Sequence, residues 1–195
     1  MTSGKRVQLP PAPELTGGPD LALRLPLPGD VDDIVAQCRD PEFQRWTTVP
    51  APYNQADAHE FLQRVAEGWR ANVAAFAIAY EGRFAGSANL RFDGLRGADV
   101  GFGLAPWARG KGVMTRAVRL MLTWGFERAD LEVVYWRAQV GNWPSRRVAM
   151  RCGFRMEGTV QGLLEYRGER RDGWIGSLRR GEPLSGAVEE PAHGM

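Results

Sequence analysis

Between Val100 and Thr115 the chain reads as a strand that runs through the turn Arg109-Gly110-Lys111-Gly112 directly into a helix. That junction constrains the fold more than any other segment. A helix start presents unpaired backbone N–H groups and the positive end of the helix dipole. Glycines at 110 and 112 allow the backbone to close around an anion such as a diphosphate with no Cβ in the way. Arg109 and Lys111 add positive charge. Two common phosphate motifs are excluded. A P-loop needs Gly where Ala105 stands and Ser or Thr where Gly112 stands, and a dinucleotide fingerprint needs a third Gly at Thr115. A tight glycine turn without a ligand is the alternative reading of the same residues.

Gly101 and Gly103 lie within the strand that feeds this turn. Glycine there marks a bulge or the close approach of another chain. A bulge would turn strand N–H and C=O groups away from the neighbouring strand and offer them to an extended, amide-bearing ligand. Pantetheine is such a ligand, and a diphosphate attached to it would fall on the glycine turn.

Strand and helix patterns alternate on both sides of this unit. Leu21 to Leu25 alternates as a strand. Asp30 caps a short helix with Val31, Ile34, Val35 and Cys38 on its apolar face. Asp40 to Tyr53 reads as a loop. Asn54 starts a helix that presents Phe61, Leu62, Val65 and Trp69. Val73–Tyr80 and Arg83–Arg91 form a hairpin about Glu81-Gly82, and Asp99–Leu104 is the strand before the turn. A helix runs from Lys111 to about Glu127, followed by a β-rich stretch from Leu131 to Val140. A short helix follows Asn142, with Pro144 in its first turn and Gly153 after its end. Two strands, Arg155–Glu165 and Arg170–Leu178, complete the order β-α-α-β-β-β-α-β-α-β-β. The fold class is therefore α/β (α+β): a mixed, mostly antiparallel sheet of about seven strands flanked by four helices. Its parallel pairing comes from the central strand–helix–strand unit. Residues 1–18 and 182–195, rich in Pro and Gly or polar groups, are expected to be a flexible arm and tail around one domain spanning 19–181.

Composition bounds the rest. The chain has 195 residues and a net charge of +2, which suits one domain and gives no overall signature of a nucleic-acid binder. Two cysteines and two histidines make neither a disulfide framework nor a metal site, so none is expected. The longest apolar stretch, Val73 to Tyr80, is too short to span a bilayer. The start lacks a signal-peptide core, and the chain reads as cytoplasmic.

The motif Arg109-x-x-Gly112-x-Met114 resembles the Gln/Arg-x-x-Gly-x-Gly/Ala signature of the GNAT superfamily of N-acetyltransferases, with Met114 departing from the usual small residue. Asn142-x-x-Ser145-x-x-Val148-x-x-Arg151-x-Gly153-Phe154 is similar to the second block of the branch that acetylates ribosomal-protein N-termini (RimJ/RimL type). Glu157-Gly158, the opening Leu23 to Leu27 and the Asp40-Pro41…Trp46 stretch fit the same branch, so the resemblance covers about residues 20 to 180.

The resemblance implies a single GNAT-like domain, splayed at its parallel pair, that transfers an acetyl group from acetyl-CoA to a primary amine without a metal. Phe102 and Leu104 would contact pantetheine through their backbone, and the Leu104 N–H would polarise the thioester carbonyl. Arg109, Gly110, Lys111, Gly112, Val113, Met114 and Thr115 would hold the diphosphate. Asn142 would bond the pantetheine arm, and Ser145 would protonate the departing sulfur. Glu165 is the candidate base, one residue beyond the position the branch uses, with Glu157 behind it. Trp46 and Tyr53 would line the acceptor mouth. A protein or peptide N-terminal α-amine is the expected acceptor. A small amine such as an aminoglycoside, polyamine or amino-acid derivative, and a non-catalytic acyl-CoA-binding module, stand as alternatives. Neither nucleic acid nor membrane is an expected partner, and a homodimer is compatible with the sequence.

Overall fold

Alternation along the strand Val73–Tyr80 sets the layering of the molecule. Ala74, Phe76 and Ile78 join a core containing Val113, Met121 and Leu122, whereas Ala77 joins a second cluster with Ile34, Val35 and Ala58. A sheet that buries both faces needs helices on each. The computed structural model, which describes residues 9–186, has this three-layer arrangement.

The strands are β1 (Leu15–Thr16), β2 (Leu21–Arg24), β3 (Val73–Tyr80), β4 (Arg83–Phe92), β5 (Gly97–Leu104), β6 (Val133–Gln139), β7 (Arg155–Tyr166) and β8 (Glu169–Arg179). The helices are α1 (Val31–Arg39), α2 (Pro41–Trp46), α3 (Gln55–Gly68), α4 (Val113–Glu127) and α5 (Trp143–Arg151). Short 3-10 turns cover Pro28–Asp30 and Pro106–Ala108. Among the described residues, eight strands form one sheet in the order β1-β2-β3-β4-β5-β6-β8-β7. Every pairing is antiparallel except β5 with β6. Helices α1 and α3 cover one face through Val31, Ile34, Val35, Ala58 and Val65. Helix α4 covers the other with Val113, Ala117, Met121 and Leu122, all fully buried. Burying one such Val, Leu or Met contributes about 1.5–3 kcal/mol before chain entropy is counted.

The parallel pair is short. Register runs from Gly97↔Val133 to Val100↔Trp136 and stops there, although β5 continues to Leu104 and β6 to Gln139. The two strands therefore diverge towards their C-terminal ends, opening a gap in the middle of the sheet.

Four expectations change. Residues Asp40 to Tyr53 are not all loop, because α2 forms within them, N-capped by Asp40 with Pro41 in its first turn. The β4–β5 register is unbroken from Phe92↔Ala98 to Gly86↔Leu104, so the gap comes from divergence of β6 rather than from a bulge in β5. Asp30 holds the N-cap position of α1, but its side chain makes no capping bond to that helix. Its carboxylate accepts two bonds from Arg24, at 2.7 and 2.9 Å, and one from the Leu27 N–H. Within the stretches read as arm and tail, Leu15–Thr16 pair with β2, and Leu9 and Leu184 pack against the main core. Residues 1–8 and 187–195 of those stretches lie outside the described residues. Among the described residues no helix is long and apolar enough to cross a membrane.

Candidate active site

Hydrogen-bond alternation along β5 decides which backbone groups face the gap. The Ala105 N–H donates to the Ala85 carbonyl at 2.7 Å, and the Asp93 N–H donates to the Gly97 carbonyl at 3.0 Å, so odd-numbered residues of β5 bond to β4. Even-numbered residues point the other way, as the Glu132 N–H bonding the Arg96 carbonyl illustrates. Beyond Val100, β6 has moved away. Phe102 and Leu104 consequently present their backbone groups to the gap, and the Leu104 carbonyl accepts the Arg109 Nε at 3.2 Å.

The glycine turn delivers the chain to α4 with a second set of donors. Gly110 and Gly112 have φ of 78° and 74°, the left-handed region open to glycine at little cost. Gly112 is the N-cap of α4 and no side chain caps it. The first intrahelical bond runs from the Arg116 N–H to the Gly112 carbonyl, which leaves the N–H groups of Val113, Met114 and Thr115 without intrahelical partners. A Cβ built at either glycine would meet nothing within 4 Å, so the space in front of these donors is open. The side chains of Val113 and Met114 are buried in the core, which absorbs the bulk of Met114 away from the turn.

Helix α5 contributes from the far side of the gap. Asn142 caps it, with Oδ1 accepting the Ser145 N–H at 3.2 Å. The Ser145 Oγ accepts the Trp136 Nε1–H at 3.0 Å, and Trp136 is itself buried on β6. That bond occupies an acceptor site of the hydroxyl and leaves its own proton to donate elsewhere.

These parts line one cavity of about 460 Å³. Phe102, Leu104, Arg109, Gly110, Gly112, Val113, Met114, Thr115, Asn142, Ser145 and Trp46 all border it. Arg147 and Arg151 add charge on the α5 side. The wall opposite is α2 with its C-cap Thr47, and Glu42 and Phe43, to which the sequence assigned no role, also border the cavity. Gly103 makes that wall close: a Cβ there would stand 2.5 Å from the Phe43 ring. The Asp40–Pro41 pair was the available signal for α2, an N-cap residue followed by proline at the first helical position.

Three expected residues stand elsewhere. Lys111 lays its ammonium over the rings of Tyr80 and Trp107, 5.7 and 5.6 Å from their centroids, rather than bordering the cavity. Tyr53 is core: it is buried among Val31, Ile34, Val35 and Cys38 and walls no part of the cavity. Glu165 is exposed on β7, where its carboxylate accepts the Gly168 N–H at 2.6 Å and closes the β7–β8 turn. Glu157 is also occupied. The Ser177 hydroxyl and then the Arg155 guanidinium hold its carboxyl below the usual carboxylate range. The Arg109 guanidinium is divided between the Leu104 carbonyl and the Asp40 carboxylate. Burial pushes the Cys38 thiol up to about 11 and the Cys152 thiol up to about 12, so neither supplies a thiolate at neutral pH.

The site's geometry has a counterpart among known families. The model of the acetyltransferase (GNAT) domain matches residues 20–155. The chain belongs to the GNAT acetyltransferase family. It is 32% identical over 126 residues to YdaF of Bacillus subtilis strain 168, a protein provisionally named a ribosomal N-acetyltransferase; the match covers 61% of this chain and 69% of that one. Two solved structures share the fold. RimJ of Mycobacterium smegmatis, in complex with a CoA-disulfide, superposes with a TM-score of 0.75 at 22% identity, covering 86% of each chain. The microcin C7 self-immunity acetyltransferase MccE, in complex with acetyl-CoA and AMP, gives 0.77 at 22% identity, covering 89% of this chain and 99% of that one. As a GNAT member the chain is an acetyl-CoA-dependent acetyltransferase.

Proposed function

We propose that this GNAT enzyme acetylates the α-amine of a protein or peptide N-terminus by direct attack within a ternary complex. One juxtaposition carries the reading: the backbone of Phe102 and Leu104, the start of α4 and the Ser145 hydroxyl all border a single cavity. The pantetheine arm of CoA bonds to Phe102 and Leu104 as an added strand, and the CoA diphosphate meets the N–H groups at the start of α4. The side chain of Asn142 has its Nδ2 left to bond the pantetheine arm. The Leu104 N–H polarises the thioester carbonyl, where charge develops as the amine attacks. Nitrogen bonds to the carbonyl carbon, the C–S bond breaks, and Ser145 gives its proton to sulfur. The proton lost by nitrogen leaves through water and restores the hydroxyl.

The placement of Glu165 and Glu157 bears on the choice of acceptor. An α-amine has a pKa near ~7.7–8.0 and is partly neutral at pH 7, whereas a lysine amine, near ~10.4, needs a strong base. Among the described residues, Glu42 is the one carboxylate that borders the cavity, which favours the α-amine. The likeness to YdaF supports the same class.

The test is thiol release from acetyl-CoA with free-amine peptides, the same peptides blocked at the N-terminus, polyamines, aminoglycosides and amino acids. Release with free peptides and none with blocked, lysine-bearing ones is the expected result. Release confined to polyamines or aminoglycosides would replace the proposal with a small-molecule acceptor.

A further inference from the structure

The cavity is electrically two-ended. Its cationic part combines the start of α4 with Arg147 and Arg151, while Arg109 is engaged by Asp40 and Leu104. Glu42, on α2, supplies the one carboxylate of the lining among the described residues. Its Oε1 accepts the Trp46 Nε1–H at 2.6 Å, one helical turn on, which fixes the side chain against the acceptor wall. Its Oε2 has the Arg45 guanidinium at 3.9 Å, beyond direct hydrogen-bond range, and Arg45 lies over the Trp46 ring instead. One carboxylate oxygen is thus held and the other keeps its lone pairs for an incoming donor. A primary amine arrives largely as an ammonium, with three N–H donors and a positive charge.

We infer that Glu42 receives the protonated amine of the acceptor and is a specificity-determining residue of this site, with Trp46 positioning it. The inference rests on the amine-acetylating reading above. It names the group that selects cationic acceptors and draws them to the end of the cavity opposite the phosphates. The carboxylate binds the ammonium before proton loss, so its contribution appears in acceptor affinity rather than in the chemical step.

Glu42→Gln is the informative variant, since the amide oxygen still accepts from Trp46 while the charge and the second acceptor oxygen are lost. The measurement uses the full chain and the amine that the wild type acetylates, or a tetrapeptide with a free α-amine if it acetylates none. The expected result is an acceptor KM raised about 10- to 100-fold, the worth of one charge-assisted hydrogen bond, with kcat little changed. The Kd for acetyl-CoA should stay the same. An unchanged KM in Glu42→Gln overturns the inference, as does a loss confined to kcat. Calorimetry on CoA-saturated protein supplies a readout that needs no turnover. Wild type should bind the free-amine tetrapeptide more tightly than its N-acetylated form, and Glu42→Gln should bind both alike. If turnover shows that the acceptor is a polyamine or aminoglycoside, the peptide proposal fails while Glu42 is still judged, by KM for that amine. If wild type acetylates nothing and binds both peptides equally, Glu42 has no such role.

Discussion

The Ser145 hydroxyl holds a fixed orientation because the buried Trp136 indole donates to it. This one bond changes what Ser145→Ala should do. The variant removes the proposed acid and leaves an indole N–H unsatisfied in the interior. Turnover should fall about 10²–10⁴-fold, and stability should fall by about 1–3 kcal/mol. Acetyl-CoA affinity should remain. A stability loss with unaltered turnover would make Ser145 a partner of Trp136 and nothing more. Gly112 carries a different constraint: φ of 74° with open space around its missing Cβ. Gly112→Val therefore acts through backbone strain, about 1–2 kcal/mol, relieved by rotating the turn and its N–H donors out of line. Calorimetry should find acetyl-CoA affinity weakened by an order of magnitude or more in a protein that still folds. Unchanged affinity would place the diphosphate elsewhere. The places of Asn142 at the start of α5 and of the two glycines in the turn were legible from turn and cap residues, whereas Ser145 was singled out by the family resemblance. The places of Tyr53 and Lys111 were not legible. Pro50 and Pro52 make the stretch before Tyr53 look like an exposed loop, yet Tyr53 folds back under α1 and α3. Nothing local to Lys111 reveals that the Tyr80 and Trp107 rings will meet its ammonium.

Among the elements, α2 governs the acceptor side and is the one that periodicity could not find. Six residues make fewer than two turns, too few for a 3.6-residue pattern to separate from chance. Its position is set by two contacts from β5 and the turn beyond it: Phe43 against Gly103, and Asp40 against Arg109. Asp40 serves twice, because the same Oδ2 that meets Arg109 also accepts the Phe43 N–H at 2.9 Å and caps the helix. The acceptor wall is thereby tied to the start of the phosphate turn. Gly103→Ala should push the Phe43 ring outward, costing about 1–3 kcal/mol as overpacking does and raising the acceptor KM. Phe43→Ala also destabilises on its own, but combined with Gly103→Ala the losses should not add, since the second change removes the clash made by the first. Strict additivity in melting measurements would show that the two residues do not meet.

At the scale of the whole molecule, the strands and helices that build the site, α2 excepted, were readable because each carries a recognisable pattern. The β3–β4 hairpin alternates, α4 has a full apolar face, and a helix between β5 and β6 dictates their parallel pairing. The two-residue β1 has no pattern to show, and its place at the sheet edge comes from pairing with β2. The family resemblance implied the splay of β5 from β6, but not that it starts after Val100↔Trp136, which depends on both strands at once. That divergence creates the cavity, so the ligand should couple to global stability. A ligand that binds only the folded state adds about 2.7 kcal/mol at a concentration 100-fold above its Kd. For a chain of this size that corresponds to a rise in Tm of roughly 5–11 °C. CoA should produce the rise as well as acetyl-CoA, because the contacts assigned to β5 and α4 involve pantetheine and diphosphate rather than the acetyl group. The pattern across variants separates binding from chemistry without any acceptor present. Ser145→Ala should start from a lower Tm and gain the full increment, whereas Gly112→Val should gain little. No rise for wild type at millimolar CoA would remove the ligand from the gap between β5 and β6. A full rise in Gly112→Val would keep the ligand there but take its diphosphate away from the start of α4.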